Sequence, residues 1–396
     1  MFREFVFSTA KEKIIFGLNS VEVLPKEIGE LIGERKKITI ITDSGVVKAG
    51  ILDKIADLLR KAKYEIQVFD KVELEPTIDS YEKAKDFVRE TKPDLVIGLG
   101  GGSPMDVAST ASALLYNPGD AIDYVGPPFF KFREKRAPLV MIPTTSGTGA
   151  EVTFFDVVIV DGAKRDIIDY KLFPDIAIVD PMLTLSLPPT TTIYSGIDAL
   201  SHNIEAFLSV KSSPITDALA LQAIRYIYKY LPRAFRDGKD LEARYYLSWA
   251  SLLGGMVIAN AGVIIGHAIA YTFAGYHRLA HGFSCGICLP YAMEYNLSAA
   301  MDKLALIAEA MSVPTTNLSQ KEAATKAIIA VKDFIEGFEI PTNLKEVGIK
   351  REEIPEMINR LFTTYPYIYT ETSPCKVTKE RIEKFYEKMY EGVILD

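Results

Sequence analysis

DLVIGLGGGSPMDVAS, residues 94–109, is the stretch on which the fold turns. Its first half is a short apolar run that reads as a buried strand. Gly100, Gly101 and Gly102 then leave backbone N–H groups uncovered, and Pro104 suits a first helical turn, where its missing N–H costs nothing. A strand, a glycine turn and a helix N-terminus in that order form a cradle for a phosphate or pyrophosphate. The spacing departs from the common dinucleotide fingerprint. Ser103 stands where G-x-G-x-x-G has its last glycine, and the loop follows the third strand read from the sequence, not the first.

The flanking sequence has the same texture. KKITIITD (36–43), YEIQVFD (64–70), APLVMIPTT (137–145), FFDVVIV (154–160) and DIAIVD (175–180) read as strands. ILDKIADLLRKAK (51–63) and SYEKAKDFVRETK (80–92) carry apolar residues three and four apart and read as helices. Such alternation predicts an α/β domain with a parallel, Rossmann-like sheet covered on both faces. A second loop, IPTTSGTGAE (142–151), again runs from a strand into small hydroxyl residues and glycines. Thr144, Thr145 and Thr148 can offer hydroxyls to a ribose or phosphate at the edge where open α/β sheets bind ligands. Asp43, ending the first of these strands, can accept from adenosine ribose hydroxyls and repel a 2′-phosphate, which favours NAD over NADP. A helix cap or Asx-turn before Gly45 is the other reading of Asp43.

After Asp180 the texture changes. A Pro/Thr-rich connector (181–196) leads into sequence that reads as helical almost to the C-terminus. The expected division is 1–185, a dinucleotide-binding α/β domain, and 186–396, an all-α metal-binding and catalytic domain. From Tyr245 to Tyr276 no Asp, Glu, Lys or Arg occurs, long enough to span a bilayer. Glycines at Gly254–Gly255 and Gly262 and the presence of His267 favour a buried helical core, broken in the middle.

The bulk properties exclude some functions. A net charge of −7 argues against a nucleic-acid surface, and 48% hydrophobic with 24% charged residues is ordinary for a globular protein. Three cysteines do not make an extracellular disulfide framework, and MFREFVF lacks the layout of a signal peptide, so a cytoplasmic protein is expected. Scarce Gln beside abundant Lys, Glu, Ile and Tyr resembles a thermophile's composition.

Of four histidines, three lie in GHAIAYTFAGYHRLAHG (266–282): His267, His277 and His281. The fourth, His202, stands four residues after Asp198 in YSGIDALSHNIEAFLS, on the same face of a predicted helix. One carboxylate and three imidazoles suit Fe2+ or Zn2+, while a satisfied core histidine remains the plainer reading of each residue alone. CGIC (285–288) has no second Cys pair and reads as core.

GGGSPMD, IPTTSGTGAEVT, SGIDALSHNIEAF, GHAIAYTFAGYHRLAHG and SPCKVTKERIEKFYEKMYEG, in this order and spacing, resemble the iron-containing (group III) alcohol dehydrogenase family. The resemblance implies a dehydroquinate-synthase-like fold with the active site in a cleft between the two domains. It assigns the metal to Asp198, His202, His267 and His281, pyrophosphate contacts to Gly101, Gly102 and Ser103, and further cofactor contacts to Asp43, Thr144 and Thr148. Phe155 and Ile258 fall where the family lines its substrate pocket. The implied reaction is hydride transfer between an alcohol or aldehyde and NAD, or NADP, with a metal polarising the oxygen. The family usually forms dimers or larger homo-oligomers.

Three departures bear on that reading. Many members carry a His four residues after the third ligand, near the nicotinamide; here it is Tyr271, whose phenol has an unperturbed pKa of about 10. His277 is the other candidate for a proton relay. Lysines often found after the two loops are replaced by Ser109 and Asp166, beside Lys164 and Arg165. Alternatives within reach of this scaffold are a glycerol- or polyol-type dehydrogenase, and a metal-dependent lyase or hydrolase.

Overall fold

The computed structural model describes residues 5–395; residues 1–4, the start of MFREFVF, lie outside it. Eight strands are present among them: β1 (Lys13–Phe16), β2 (Lys37–Asp43), β3 (Glu65–Val72), β4 (Leu95–Gly100), β5 (Leu139–Pro143), β6 (Phe155–Val160), β7 (Ala163–Ile168) and β8 (Ile176–Val179). Contacts divide the chain into two units. One is Ser8–Pro189 with Asp237–Gly255; the other is chiefly Thr190–Arg236 with Met256–Asp396.

The first unit is built on a six-stranded, all-parallel sheet in the order β1-β8-β5-β4-β2-β3. Alternate residues of β4 feed different cores. Leu95, Ile97 and Leu99 pack with Ile38, Ile40, Val140 and Ile178 on one face, whereas Val96 joins Met105, Ala108 and Met141 on the other. Both faces are therefore covered, as the wholly buried strands β4, β5 and β8 at its centre require. From β2 the chain moves outward to β3, then returns to β4 on the opposite side of β2 and continues to β5. The reversal between β2 and β4 is a topological switch point, where an open sheet leaves a crevice at its carboxyl edge. Asp43 ends β2 and Gly100 ends β4, so both stand at that crevice.

Two strands were missed in the sequence. β1 is short and half-buried throughout, which leaves no alternation to read. Because β1 precedes the others, the glycine loop follows the fourth strand, not the third. β7 pairs antiparallel with β6 in a separate two-stranded sheet, so FFDVVIV does not extend the parallel one. Asp161 and Gly162 join them with φ of 50° and 79°, the left-handed pair a two-residue hairpin turn demands.

Residues 237–255 belong to this unit although they follow the connector in sequence. Tyr245 and Trp249 lie edge-on to Phe16 with ring centroids 4.9 and 4.7 Å away, and Ser248 Oγ is 3.0 Å from Ser146 Oγ. The Leu241–Ala261 helix runs unbroken through Gly254–Gly255, against expectation. Glycine serves proximity there: a Cβ on Gly255 would lie 2.3 Å from the Gly149 carbonyl oxygen. The helix ends at Gly262, whose φ is 68°.

The second unit is helical. Its helices include Pro189–Leu208, Pro214–Arg236, Ile265–His277, His281–Tyr295, Gln320–Glu336 and Lys379–Glu391. Pro189–Leu208 is buried without interruption from Gly196 to Leu208, so its polar members Asp198, His202, Asn203 and Glu205 lie inside the unit. A side chain on Gly196 would collide with Leu231, 2.4 Å from a Cβ there. No single helix among the described residues is long and apolar enough to cross a membrane.

Candidate active site

At the switch point the sequence's small residues make room for a ligand's phosphates. Thr144 N–H donates to the Gly100 carbonyl at 2.8 Å, which joins the two loops at their roots. A Cβ on Gly101 would sit 3.4 Å from Thr145 Oγ1, and one on Gly102 would come within 2.8 Å of Thr148 Cγ2. Thr145 and Thr148 therefore face the bare backbone that opens the Gly102–Leu114 helix, with Ser103 in its first turn. This is a cradle of N–H groups and hydroxyls at a helix N-terminus, and it fits a pyrophosphate. Asp43 takes the helix-cap reading. Its Oδ1 accepts from Gly45 N and Val46 N at 2.7 and 3.0 Å, capping the next helix, while Oδ2 faces the glycine turn, 3.2 Å from where a Gly100 Cβ would be.

Behind this loop lie two acids that the sequence did not reveal, Asp156 buried and Asp106 half-buried. Asp106 Oδ2 accepts from Val157 N, and Asp156 Oδ2 from Thr110 Oγ1, which ties the loop's helix to the β6–β7 hairpin. Burial raises the pKa of both carboxyls above the usual range. Ser109 donates to the Leu172 carbonyl, and Lys164 is buried in an ion pair with Glu75 at 2.6 Å.

The helical unit gathers the other set. Asp198 and His202 share a helix face, with His202 Nε2 3.8 Å from Asp198 Oδ1. His281 opens its own helix beside them, its Nε2 3.5 Å from the same oxygen. That approach needs Gly282, since a Cβ there would sit 2.0 Å from the Tyr194 carbonyl oxygen. The ring of His267 stacks on that of His202 at 4.9 Å and lies 5.4 Å from that of His281. Asp198 Oδ1 is buried and accepts no hydrogen bond. A carboxylate oxygen facing three imidazoles is costly to leave unsatisfied and is what a divalent cation needs, so the residues fit the metal the sequence implied.

Glu205 is the site residue that sequence reading missed. Only 1% exposed, it takes His267 Nδ1 on Oε1 at 2.6 Å, and the N–H groups of Ile264 and His267 on Oε2 at 2.9 and 3.2 Å. A carboxylate can only accept, so Nδ1 carries the proton and Nε2 turns its lone pair toward the cluster. Gly266 makes the space: a Cβ there would lie 2.7 Å from Glu205 Oε1. The signal was present, since Glu205 shares a helix face with Asp198 seven residues earlier in an otherwise acid-free segment.

Tyr271, one turn beyond His267, is buried with its ring 5.7 Å from those of His281 and Tyr365. His277 is not gathered with the other histidines; its Nε2 pairs with Glu353 at 2.9 Å, at the helix C-terminus. Phe155 starts β6 in the sheet unit, and Ile258 is buried in the helical unit. Both cysteines of CGIC are buried as expected: Cys288 lies 3.9 Å from Met389 Sδ, and Cys285 lies against His281.

Residues 11–181 match the model of the iron-containing alcohol dehydrogenases, and residues 192–390 that of the C-terminal part of the Fe-containing alcohol dehydrogenase family. The chain belongs to the iron-containing alcohol dehydrogenase family and is a metal-dependent oxidoreductase of alcohols and aldehydes. It is 36% identical to long-chain-alcohol dehydrogenase 1 of Geobacillus thermodenitrificans, over 96% of this chain and 95% of that one. It is 33% identical to the NAD-dependent methanol dehydrogenase of Bacillus methanolicus, over 90% and 93% of the two chains. The crystal structure of a 1,3-propanediol oxidoreductase superposes with a TM-score of 0.92 at 33% identity, covering 98% of this chain and all of the other.

Proposed function

We propose that the chain interconverts a primary alcohol and its aldehyde, using NAD held by Gly100, Gly101, Gly102, Ser103, Thr144, Thr145, Thr148 and Asp43, and a divalent ion, Fe2+ or Zn2+, held by Asp198, His202, His267 and His281. The observation that carries this reading is the buried, unsatisfied Asp198 Oδ1 facing three imidazoles. A bound divalent ion supplies Lewis acidity toward the substrate oxygen, and the nicotinamide accepts or donates the hydride. Glu205 keeps His267 in one tautomer and orientation. Tyr271 Oη is the proton relay, in the position left by the family's frequent histidine. Asp43 Oδ2 accepts from ribose hydroxyls, and its charge disfavours NADP. Phe155 and Ile258 supply apolar surface for a small or unbranched alcohol. Composition and the family's habit support a cytoplasmic homodimer or larger assembly from a thermophilic source.

The test is NADH formation from a panel of primary alcohols by anaerobically prepared, Fe2+-loaded protein, with and without a chelator. Turnover that the chelator abolishes is expected; turnover that survives it overturns the metal assignment, and activity with NADP alone overturns the role of Asp43. Tyr271→Phe is expected to lower kcat about 100-fold with metal content unchanged, the lower end of what a positioned acid–base group contributes. A second reading, a polyol-type dehydrogenase, draws on the 35% identity to the 1,3-propanediol dehydrogenase of Klebsiella pneumoniae. Diols in the same panel separate the two.

A further inference from the structure

The proposed metal ligands account for four donors, yet a fifth donor atom points to the same place. Cys285 follows His281 by four residues on the His281–Tyr295 helix, so the two side chains share a face, the arrangement by which one helix offers two donors to one ion. Its Sγ is 3.6 Å from His281 Nδ1 and 3.8 Å from Nε2. Ligand atoms of Asp198, His267, His281 and Cys285 all lie within 4.8 Å of one another. Cys285 is 1% exposed, and the oxygen it shares this space with, Asp198 Oδ1, is buried and accepts no hydrogen bond. The other cysteine of CGIC has a different setting: Cys288, nearly a turn further on, is wholly buried with its sulfur near Met389. CGIC is therefore no chelating pair, and one of its sulfurs alone belongs to the histidine cluster.

We propose that Cys285 Sγ is a metal ligand, so that the centre is a mixed oxygen, nitrogen and sulfur site with a preference for zinc over iron. This rests on the reading above that Asp198, His202, His267 and His281 hold a divalent ion. On binding, the S–H proton passes to solvent and the sulfur coordinates as thiolate, with no change of oxidation state. A thiolate is a softer donor than imidazole or carboxylate. It moves selectivity away from the hard-donor preference that an Asp/His set shares among first-row metals, toward zinc and cobalt.

The experiment is an anaerobic titration of the full-length apo chain with Co2+, read by absorption spectroscopy. One cobalt per chain is expected, with weak visible d–d bands and an intense near-ultraviolet sulfur-to-cobalt charge-transfer band. Cys285→Ser should keep the d–d bands and lose the charge-transfer band, while Cys288→Ser and Cys375→Ser keep both. In competition, the wild-type preference for zinc over Fe2+ should narrow in Cys285→Ser. X-ray absorption on the zinc-loaded wild type reads the same question without a variant, and a sulfur among the nearest neighbours is expected. Cobalt bound with d–d bands alone, a charge-transfer band that survives Cys285→Ser, or a zinc shell of only nitrogen and oxygen overturns the proposal and leaves the metal site standing. Failure of the wild type to bind any divalent ion overturns both.

Discussion

The cofactor loops and the histidine cluster are made of different material. At the sheet's carboxyl edge the proposed cofactor contacts come from backbone, left bare by Gly100, Gly101 and Gly102 and bordered by threonine hydroxyls. In the helical unit the proposed metal contacts and their support come from side chains, two of them given room by glycines: Gly282 lets His281 approach, and Gly266 admits Glu205. A backbone site depends on what is missing, a side-chain site on what is present. The first should yield to added bulk and the second to lost charge.

The largest effect should follow from Asp198→Asn, which keeps the shape and removes the charge. Metal content after dialysis is expected to fall to trace and activity to background. The wild type's melting temperature should rise when metal is added, since an ion that binds only the folded state stabilises it, and the variant's should not move. A variant that retained metal would break the comparison by showing that imidazoles suffice.

Next comes Glu205→Gln. An amide cannot serve as charged acceptor for His267 Nδ1 and two backbone N–H groups together, and loss of such a supporting carboxylate typically weakens metal affinity about 10- to 100-fold. Competition with a chromogenic chelator measures it. The backbone half is probed by Gly102→Ala, whose new Cβ would sit 2.8 Å from Thr148 Cγ2. The expected result is a roughly tenfold higher KM for the nicotinamide cofactor, equivalent to about 1.4 kcal/mol, with metal content unchanged. Adding Thr148→Ser, which deletes that methyl, should recover most of the loss; no recovery would mean that sterics do not govern the loop.

The smallest effect lies behind the threonine loop. Burial raises the Glu151 carboxyl from its ordinary 4.5 to about 7. Between those values the folded chain holds a proton that the unfolded chain has released. The stabilisation is therefore full below pH 4.5, falls as pH rises and is gone above about 7. Glu151→Gln should flatten that part of the melting-temperature profile. An unchanged slope would assign it to other groups.

The same contrast explains what the sequence could reveal. Strands such as DLVIGLG and the loops after them were legible because burial and backbone geometry restrict composition locally: an apolar run, then glycines, then a helix start. The Asp198 and His202 pair was legible through helix periodicity. Glu205 was not, because its partners lie 59 and 62 residues away, and no local pattern records that a distant helix start needs an acceptor. Cys285 was assigned to the core for the same reason. It is indeed buried, but which neighbours share the burial is decided by the crossing of two helices. The continuity of the Leu241–Ala261 helix through two glycines likewise depends on a remote contact with Gly149. The hairpin was the avoidable miss, since Asp161–Gly162 between two strand-like runs is a local turn signal.

Glu205 also binds two kinds of order into one. The N–H groups it accepts from belong to the unsatisfied start of the Ile265–His277 helix, and the imidazole it holds belongs to the metal cluster. Fraying at that end takes the acceptor away from His267 Nδ1, and a turn of the Glu205 carboxylate releases the ring and uncaps the helix together. Local melting there and loss of the aligned imidazole are thus linked, and heat that opens this corner should silence the enzyme.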